Sequence, residues 1–217
     1  MSQEMLALLF ESLGETLYMV GVSTAISTII GVPLGVILVT TSRGHILENL
    51  PLNRILGAIA NATRSTPFII LMVAIIPLTR VLAGTSIGTN AAIVPLSIAA
   101  IPFVGRVVEA SLREVDYGLI EAAQAMGASP FQIINRVLIP EAMPSIVLGL
   151  TLTVISLIGY SAMAGAIGGG GLGDLAIRFG YQRFRVDVMI ATVVILIALV
   201  QIVQSAGDMA SHRLNKK

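Results

Sequence analysis

Few side chains in this sequence could act as acids, bases, nucleophiles or metal ligands. The only histidines are His45 and His212, and the chain has no cysteine. Both histidines lie outside the long apolar stretches, so a Ser–His pair cannot form within them. The two also lack the spacing of a two-histidine metal motif. These residues predict no catalytic site, no metal site and no cofactor.

A glycine-rich run, Gly-Gly-Gly-Gly-Leu-Gly-Asp at 168–174, is the next candidate for chemistry because such runs can cradle a phosphate. It lacks the Lys-Ser/Thr pair of a phosphate-binding loop, and no soluble strand precedes it. We therefore predict a flexible loop, which the charge distribution described below places on the outer side of a membrane.

The composition indicates a membrane protein. The 217 residues are 55% hydrophobic and only 12% charged, whereas soluble domains are about 25% charged. A membrane helix needs roughly 20 apolar residues. Uncharged runs cover Thr16–Ser42, Ser65–Thr79, Val81–Gly105, Ala142–Gly173 and Val188–Gly207. Extending the short second run to about 57–80, with Arg64 near one end, predicts an all-α protein with five transmembrane helices. Pro67 and Pro77 are expected to bend or interrupt the second helix.

The basic residues predict the orientation, because cytoplasmic loops carry an excess of lysine and arginine. One side would hold Arg43, Arg54, Arg106, Arg113, Arg136, Arg213, Lys216 and Lys217. The opposite side would hold Arg80, Arg178, Arg183 and Arg185. The N-terminus is then outside and the C-terminus cytoplasmic. We predict a transmembrane domain over residues 12–208, with a cytoplasmic insert at about 115–141 and a short basic tail at 209–217.

The insert carries clear helix boundaries. A first helix ends at Gly127, a favourable residue just beyond a helix end. Ser129, Pro130 and Gln132 then match a capping box with proline at the first helical position. Pro140 is expected to stop this second helix, and Pro144 to open the fourth membrane span. Apolar residues of the two helices are expected to fill a groove on a partner: Leu119, Ala123, Met126, Phe131 and Ile134.

Two patterns of small or polar residues occur within the spans. Gly31 and Gly35 in the first helix would let another backbone approach closely. A stripe along the fourth helix comprises Ser145, Gly149, Thr153, Ser156, Tyr160 and Met163. The stripe either packs against a neighbour or lines a polar path, and the spacing fits both. Ser156, Tyr160 and Met163 are the candidate path residues, since a flexible thioether can plug a narrow passage.

The insert also resembles a known loop. Glu121-Ala122-Ala123, then Gly127, then Val137-Leu-Ile139-Pro140 is similar to the loop by which ABC importer permeases dock onto a cytoplasmic ATPase; the family's usual ending is Ile-x-Leu-Pro. The segments Arg64-Ser-Thr-Pro-Phe-Ile-Ile-Leu and Gly159-Tyr-Ser-Ala-Met163 resemble methionine-importer permeases. The similarity covers roughly residues 12 to 208.

This resemblance implies a type I importer fold in a bacterial inner membrane. It implies a homodimer with two cytoplasmic ATPase subunits and an outer substrate-binding lipoprotein, and uptake of methionine, probably of both the L- and D-forms. It assigns docking to Glu121, Ala122, Ala123, Gly127 and Pro140. ATP hydrolysis would then belong to the separate ATPase.

Three alternatives remain. The chain could carry another small neutral amino acid. A proton- or sodium-coupled carrier is less favoured, because such carriers keep ionisable groups at membrane depth and the apolar cores of four of the five predicted spans have none. An intramembrane enzyme is disfavoured by the positions of the two histidines.

The charge distribution yields a topology prediction. Alkaline phosphatase, which is active only outside the cytoplasm, should be active when fused after Ser2 and inactive when fused after Lys217. A fluorescent protein that matures only in the cytoplasm should give the reverse pattern. Finding both ends on one side would contradict five spans.

Overall fold

The computed structural model describes residues 3–215, and the regular secondary structure of these residues is entirely helical. Its helices are α1 (Gln3–Thr40), α2 (Leu50–Ser65), α3 (Phe68–Ala74), α4 (Ile76–Ala83), α5 (Thr89–Arg113), α6 (Tyr117–Ala125), α7 (Pro130–Ile133), α8 (Ile139–Gly165), α9 (Gly171–Leu175) and α10 (Val186–Leu214). Two π-helical segments, Ile134–Leu138 and Ala176–Tyr181, follow α7 and α9. In the described residues, four helices are long and apolar enough to cross a membrane, and a bent pair makes a fifth.

Helices α1 and α5 approach each other closely at the two glycines for which the sequence predicts such a contact. A Cβ atom added to Gly31 would lie 2.7 Å from the Cβ of Val104. One added to Gly35 would lie 2.6 Å from the carbonyl oxygen of Gly105. No side chain fits at these distances, so the backbones meet because both positions are glycine. The predicted close approach is confirmed.

Helix α5 also packs against α8. A Cβ atom at Gly149 would clash with Cγ1 of Val107, so this position of the stripe is closed by packing. The side chains of Leu96, Val104 and Val108 are fully buried along α5. Helix α5 is therefore the central element, with α1 and α8 packed onto it.

The second predicted span is broken at Pro67, one of the two prolines that are expected to bend or interrupt the helix over 57–80. Helices α2 and α3 meet at an angle of 104°. Thr66 has an extended backbone, with φ −86° and ψ 124°, because the ring of Pro67 disfavours the helical region for the preceding residue. The hydroxyls of Ser65 and Thr66 donate to the carbonyls of Asn61 and Ala62, so these carbonyls keep partners at the end of α2.

The prediction that Pro140 stops the second insert helix is wrong. The chain from Pro130 to Gly165 is one long helix, and Pro144 lies inside it. The π-helical segment directly precedes Pro140, and the amide of Ile139 donates to the carbonyl of Ile134. Proline cannot donate to the carbonyl four residues earlier and its ring crowds that carbonyl. The wider π turn accommodates the ring without ending the helix.

Part of the glycine-rich run is helical and bonds to α1, so the expectation of a loop throughout 168–174 is wrong from Gly171 onwards. The amide of Gly171 donates to Oε2 of Glu15 at 2.6 Å, and that of Leu172 donates to Oγ1 of Thr16 at 2.9 Å. Helix α9 begins at Gly171, within the run, and its residue Leu172 is fully buried. Gly171 has a φ of +77°, a conformation that glycine adopts at little cost. These hydrogen bonds connect α1 to the segment that precedes α10.

Helix α10 continues to Leu214, through most of the segment predicted as the tail. Lys216 and Lys217, which contribute to the basic count, lie outside the described residues. The domain boundary between 208 and 209 stays a prediction.

The α1–α5 contact yields a stability prediction. Replacing Gly35 with valine should destabilise the protein by at least about 1–3 kcal/mol, the usual cost of overpacking, and lower its melting temperature in detergent. Gly21→Ala in the same helix is the matched control, since an added Cβ there meets nothing within 4 Å. Equal melting temperatures for Gly35→Val and the parent would contradict this account.

Candidate functional site

The two helices of the insert meet at a tightly hydrogen-bonded corner. Gly127 has a φ of +79°, and its amide donates to the carbonyl of Gln124 at 2.9 Å. The amide of Ala128 donates to the carbonyl of Ala123 at 3.0 Å. This pair of bonds is a Schellman motif, which closes a helix end. The prediction that Gly127 lies just beyond the end of the first helix is confirmed.

The second insert helix begins with the predicted capping box. Oγ of Ser129 accepts from the amide of Gln132, and the side chain of Gln132 accepts from the amide of Ser129 at 2.8 Å. Pro130 occupies the first turn. The two motifs satisfy the free amides and carbonyls at both helix ends, so the corner has a defined geometry before any partner binds.

The insert presents one apolar face to solvent and buries the other. Met126 is 82% exposed, Phe131 74% and Leu119 43%. Ala123 is only 4% exposed and Ile134 is half-buried. The expectation that Ala123 faces a partner is therefore wrong, because Ala123 packs in the core shared by the insert and the membrane helices. Leu119, Met126 and Phe131 form the outward face.

The remaining docking candidates lie at the surface. Glu121, Ala122, Gly127 and Pro140 are all exposed. The carboxylate of Glu121 has no hydrogen bond or ion pair with another residue in the described part of the chain. It is available to an external donor.

The buried face of the insert is continuous with the membrane helices. Its core cluster combines residues of α1, α5, the insert and α8: Val39, Val104, Val108, Leu112, Ile120, Ala123, Ile133, Leu138, Ala142 and Ile146. Ser145 on α8 also donates to Glu114 at the end of α5, at 3.0 Å. Because the insert shares its core with α5 and α8, it is expected to move with them as a body.

A loop before α2 supports the start of the insert. The hydroxyl of Tyr117 donates to the carbonyl of Gly44 at 3.1 Å, and the rings of Tyr117 and His45 meet edge to face. Burial, and to a smaller extent the positive charge of Arg113, lowers the pKa of His45. The lowered pKa favours the uncharged imidazole at neutral pH, and this ring packs on Tyr117.

A network of charged residues ties α2 to α5. Glu109 is buried and accepts from Arg106 at 2.6 Å and from Arg113 at 2.9 Å. Arg106 also donates to the carbonyl of Gly57 and to Oδ1 of Asn61, at 2.9 and 2.8 Å. The four-residue spacing of Glu109 and Arg113 is typical of a helical ion pair. No spacing within α5 indicates the bonds to Gly57 and Asn61, which lie 49 and 45 positions from Arg106.

The stripe along α8 has two different halves. Gly149 and Thr153 are buried, and Gly149 packs on α5. Ser156 and Tyr160 are half-buried, and Met163 is 49% exposed. Packing and an accessible face, which the sequence left as alternatives, therefore apply to different halves of the same stripe.

Tyr160 borders a cavity of about 170 Å³ between α2, α3, α5 and α8. Its ring stacks on Phe68 with centroids 4.6 Å apart. The lining residues are Thr63, Arg64, Thr66, Phe68, Leu71, Ala99, Phe103 and Tyr160. Sequence reasoning did not find this group, because the break at Pro67 is what turns Phe68 towards α8.

No catalytic or metal centre emerges from the described residues. Among them, no three histidine, aspartate or glutamate side chains are grouped so as to hold a metal ion. The polar features of this part of the chain are instead the corner of the insert, the charged network and the half-open face of α8.

A family model described as "Binding-protein-dependent transport system inner membrane component" matches residues 17–216. The chain belongs to this family. Because the match spans nearly the whole chain, the membrane helices and the insert are parts of one transport component, and the chain is a multi-pass inner-membrane protein.

Several relatives of this binding-protein-dependent transport family are similar over most of their length. A Vibrio cholerae protein named "Probable D-methionine transport system permease protein MetI" is 57% identical over 97% of this chain and 93% of its own. The Bacillus subtilis "Methionine import system permease protein MetP" is 45% identical over 94% and 91%. A chain from a solved structure titled "Inward facing conformations of the MetNI methionine ABC transporter" aligns over 100% of both chains, with a TM-score of 0.98 and 49% identity.

Proposed function

We propose that this chain is the permease subunit of an ATP-driven importer that carries methionine across the inner membrane. The names of the Vibrio cholerae and Bacillus subtilis relatives, which cover nearly the whole chain, support methionine as the substrate. The backbone agreement with a chain of the inward-facing methionine transporter supports the same assignment and an inward-facing arrangement.

The proposed complex contains two copies of this chain, two cytoplasmic ATPase subunits and an outer substrate-binding lipoprotein. ATP hydrolysis would occur on the ATPase, and this chain would convert that energy into movement. The N-terminus would be outside and the C-terminus cytoplasmic, which places the insert on the same side as the ATPase.

One observation carries the mechanism: the insert and the path candidates lie on a single helix. The 36 residues from Pro130 to Gly165 span about 54 Å at 1.5 Å per residue. Ser156, Tyr160 and Met163 lie near one end, and Phe131 lies at the other. A displacement of the insert by the ATPase would therefore reach the path without crossing a break in the helix.

Docking is assigned to the exposed face and to the corner. Met126, Phe131 and Leu119 would enter a groove of the ATPase, while Glu121 would accept a hydrogen bond and Ala122 would permit close approach. Gly127 would preserve the corner. Ala123 would contribute by packing the insert against α5. Pro140 would lie on the exposed side of the helix, next to the π turn.

The path is assigned to the half-open end of the α8 stripe, where Ser156, Tyr160 and Met163 would line the passage between two copies of the chain. The absence of ionised side chains among these three residues suits a neutral zwitterion with an apolar side chain. The same feature suits other small neutral amino acids, which remain the alternative substrates.

A proton-coupled carrier is supported less well. Such a carrier needs a carboxylate that is free to titrate at membrane depth. Glu109 is buried, but both of its carboxylate oxygens are held by arginines, which makes it part of a structural network. ATP-driven transport requires no such group.

Reversing the charge of Glu121 tests docking. Glu121→Lys should reduce co-purification of the ATPase. The variant removes a hydrogen-bond acceptor, and its positive charge would repel a cationic donor on the ATPase. The protein should still insert, since Glu121 is exposed. Glu11→Lys is the matched control, because Glu11 is exposed near the N-terminal end of α1. Equal recovery of the ATPase with both variants would contradict the docking assignment.

Uptake of radiolabelled methionine by the complex in proteoliposomes tests the function and the path together. The parent should import methionine only with ATP inside and binding protein outside. Met163→Asp should impair or uncouple uptake, because a charge at the passage opposes an apolar solute. Ile155 lies outside the stripe, and Ile155→Val removes one methylene group at a cost of about 1 kcal/mol in stability. Uptake by this variant should remain close to that of the parent. Uptake by Met163→Asp at the parental rate and selectivity would show that this residue is not in the path.

A further inference from the structure

The cavity beside Tyr160 combines one cationic residue with aromatic and hydroxyl groups. It is bounded by the end of α2 and by α3, α5 and α8, so it forms where the second span breaks. Its volume of about 170 Å³ is well above the roughly 30 Å³ that one water molecule occupies in the liquid. A small organic solute could therefore enter.

Arg64 supplies the cationic end. Its guanidinium lies 5.8 Å from the centre of the Phe103 ring, within the range of a cation–π contact. Within the described part of the chain, Arg64 forms no ion pair, unlike the nearby Arg106, whose terminal nitrogens bond to Glu109, Gly57 and Asn61. The guanidinium of Arg64 is thus open to a carboxylate, which arginine can bind through two parallel hydrogen bonds.

The hydroxyls of Thr63 and Thr66 provide acceptors near Arg64. Each donates its own proton to a backbone carbonyl of α2: Thr63 to Ile59 at 3.0 Å and Thr66 to Ala62 at 3.2 Å. A hydroxyl oxygen retains acceptor lone pairs after it has donated. These oxygens can therefore accept from an ammonium group but have no proton left for a carboxylate.

The rest of the cavity lining is mostly apolar. The stacked rings of Phe68 and Tyr160 and the side chains of Leu71 and Ala99 line it. Sulfur atoms make favourable contacts with aromatic rings, mostly at about 5 Å. An unbranched side chain with a thioether matches this lining better than a charged or strongly polar one.

We propose that this cavity is a transit site for a zwitterionic amino acid, with Arg64 binding the carboxylate, Thr63 and Thr66 accepting from the ammonium, and Phe68, Phe103 and Tyr160 contacting the side chain. The site rests on the proposed function and extends it, because it assigns recognition within the membrane to this chain in addition to the binding protein. Arg64 is then a substrate-binding residue, separate from the Met163 end of α8.

The transport test compares three variants in the assembled complex in proteoliposomes. Arg64→Gln should lower methionine uptake about tenfold or more, because a hydrogen bond to a charged group is lost, while the rate of ATP hydrolysis shows that the complex remains assembled. Arg64→Lys keeps the charge and should retain more uptake than Arg64→Gln. Arg54→Gln is the matched control, an exposed arginine of the same helix, and should match the parent.

Direct occupancy can be measured because the chain has no native cysteine. In Ala99→Cys, methionine should slow modification of the cavity wall by a thiol reagent, and methionine amide, which lacks the carboxylate, should not. The protection should disappear when Arg64→Gln is added. Ile59→Cys, on an exposed position of α2, should be modified at the same rate with and without methionine.

The outcomes separate the site from the proposed function. If the parent imports methionine but Ala99→Cys is modified equally with and without it, the transit site is wrong and the importer assignment stands. Parental uptake by Arg64→Gln would also overturn the site. If the assembled parent complex does not import methionine, the proposed function itself is wrong. Protection that depends on Arg64 and on the carboxylate supports the site.

Discussion

The architecture depends on the backbone contact between α1 and α5. Gly31 and Gly35 bring α1 so close to α5 that an added Cβ would lie within 2.6–2.8 Å of it. Lipid tails are as apolar as leucine, so packing between membrane helices has to come from close complementary surfaces. This contact holds α5 in place, and α5 in turn carries the charged network, the close contact with Gly149 of α8 and the core shared with the insert.

Pro67 and Pro140 have opposite effects on their helices, and the transport proposal uses both. At Pro67 the chain leaves the helix, and hydroxyls of Ser65 and Thr66 donate to the exposed carbonyls. At Pro140 the helix persists, because a π turn widens just before the ring. The first break opens a cavity between α2 and α8. Pro140 leaves the helix continuous from the insert to Met163. The same residue type therefore interrupts one helix and lies within another, depending on its backbone context.

Much of the local structure follows from short-range patterns. The capping box at Ser129, the turn at Gly127 and the close approach at Gly31 each depend on residues within a few positions, and each prediction is confirmed. The apolar runs also identify the all-helical membrane architecture. The errors in helix continuity concern the persistence of the helix through Pro140 and the start of a helix within the glycine-rich run. Each depends on whether a freed or strained backbone group finds a partner, such as Glu15 for Gly171, 156 positions away.

The sequence by itself determined the class of protein, the two-helix insert with its corner, and the family resemblance carried by residues 121–140. Those features are encoded in hydrophobicity and in hydrogen bonds between near neighbours. Only the tertiary structure decided which residues act together. It divided the α8 stripe into a packed half and an open half, turned Ala123 into the core, and placed Arg64 and Phe103 beside Tyr160. Which face of a helix is covered depends on the neighbouring helix, and no spacing within one helix specifies that neighbour.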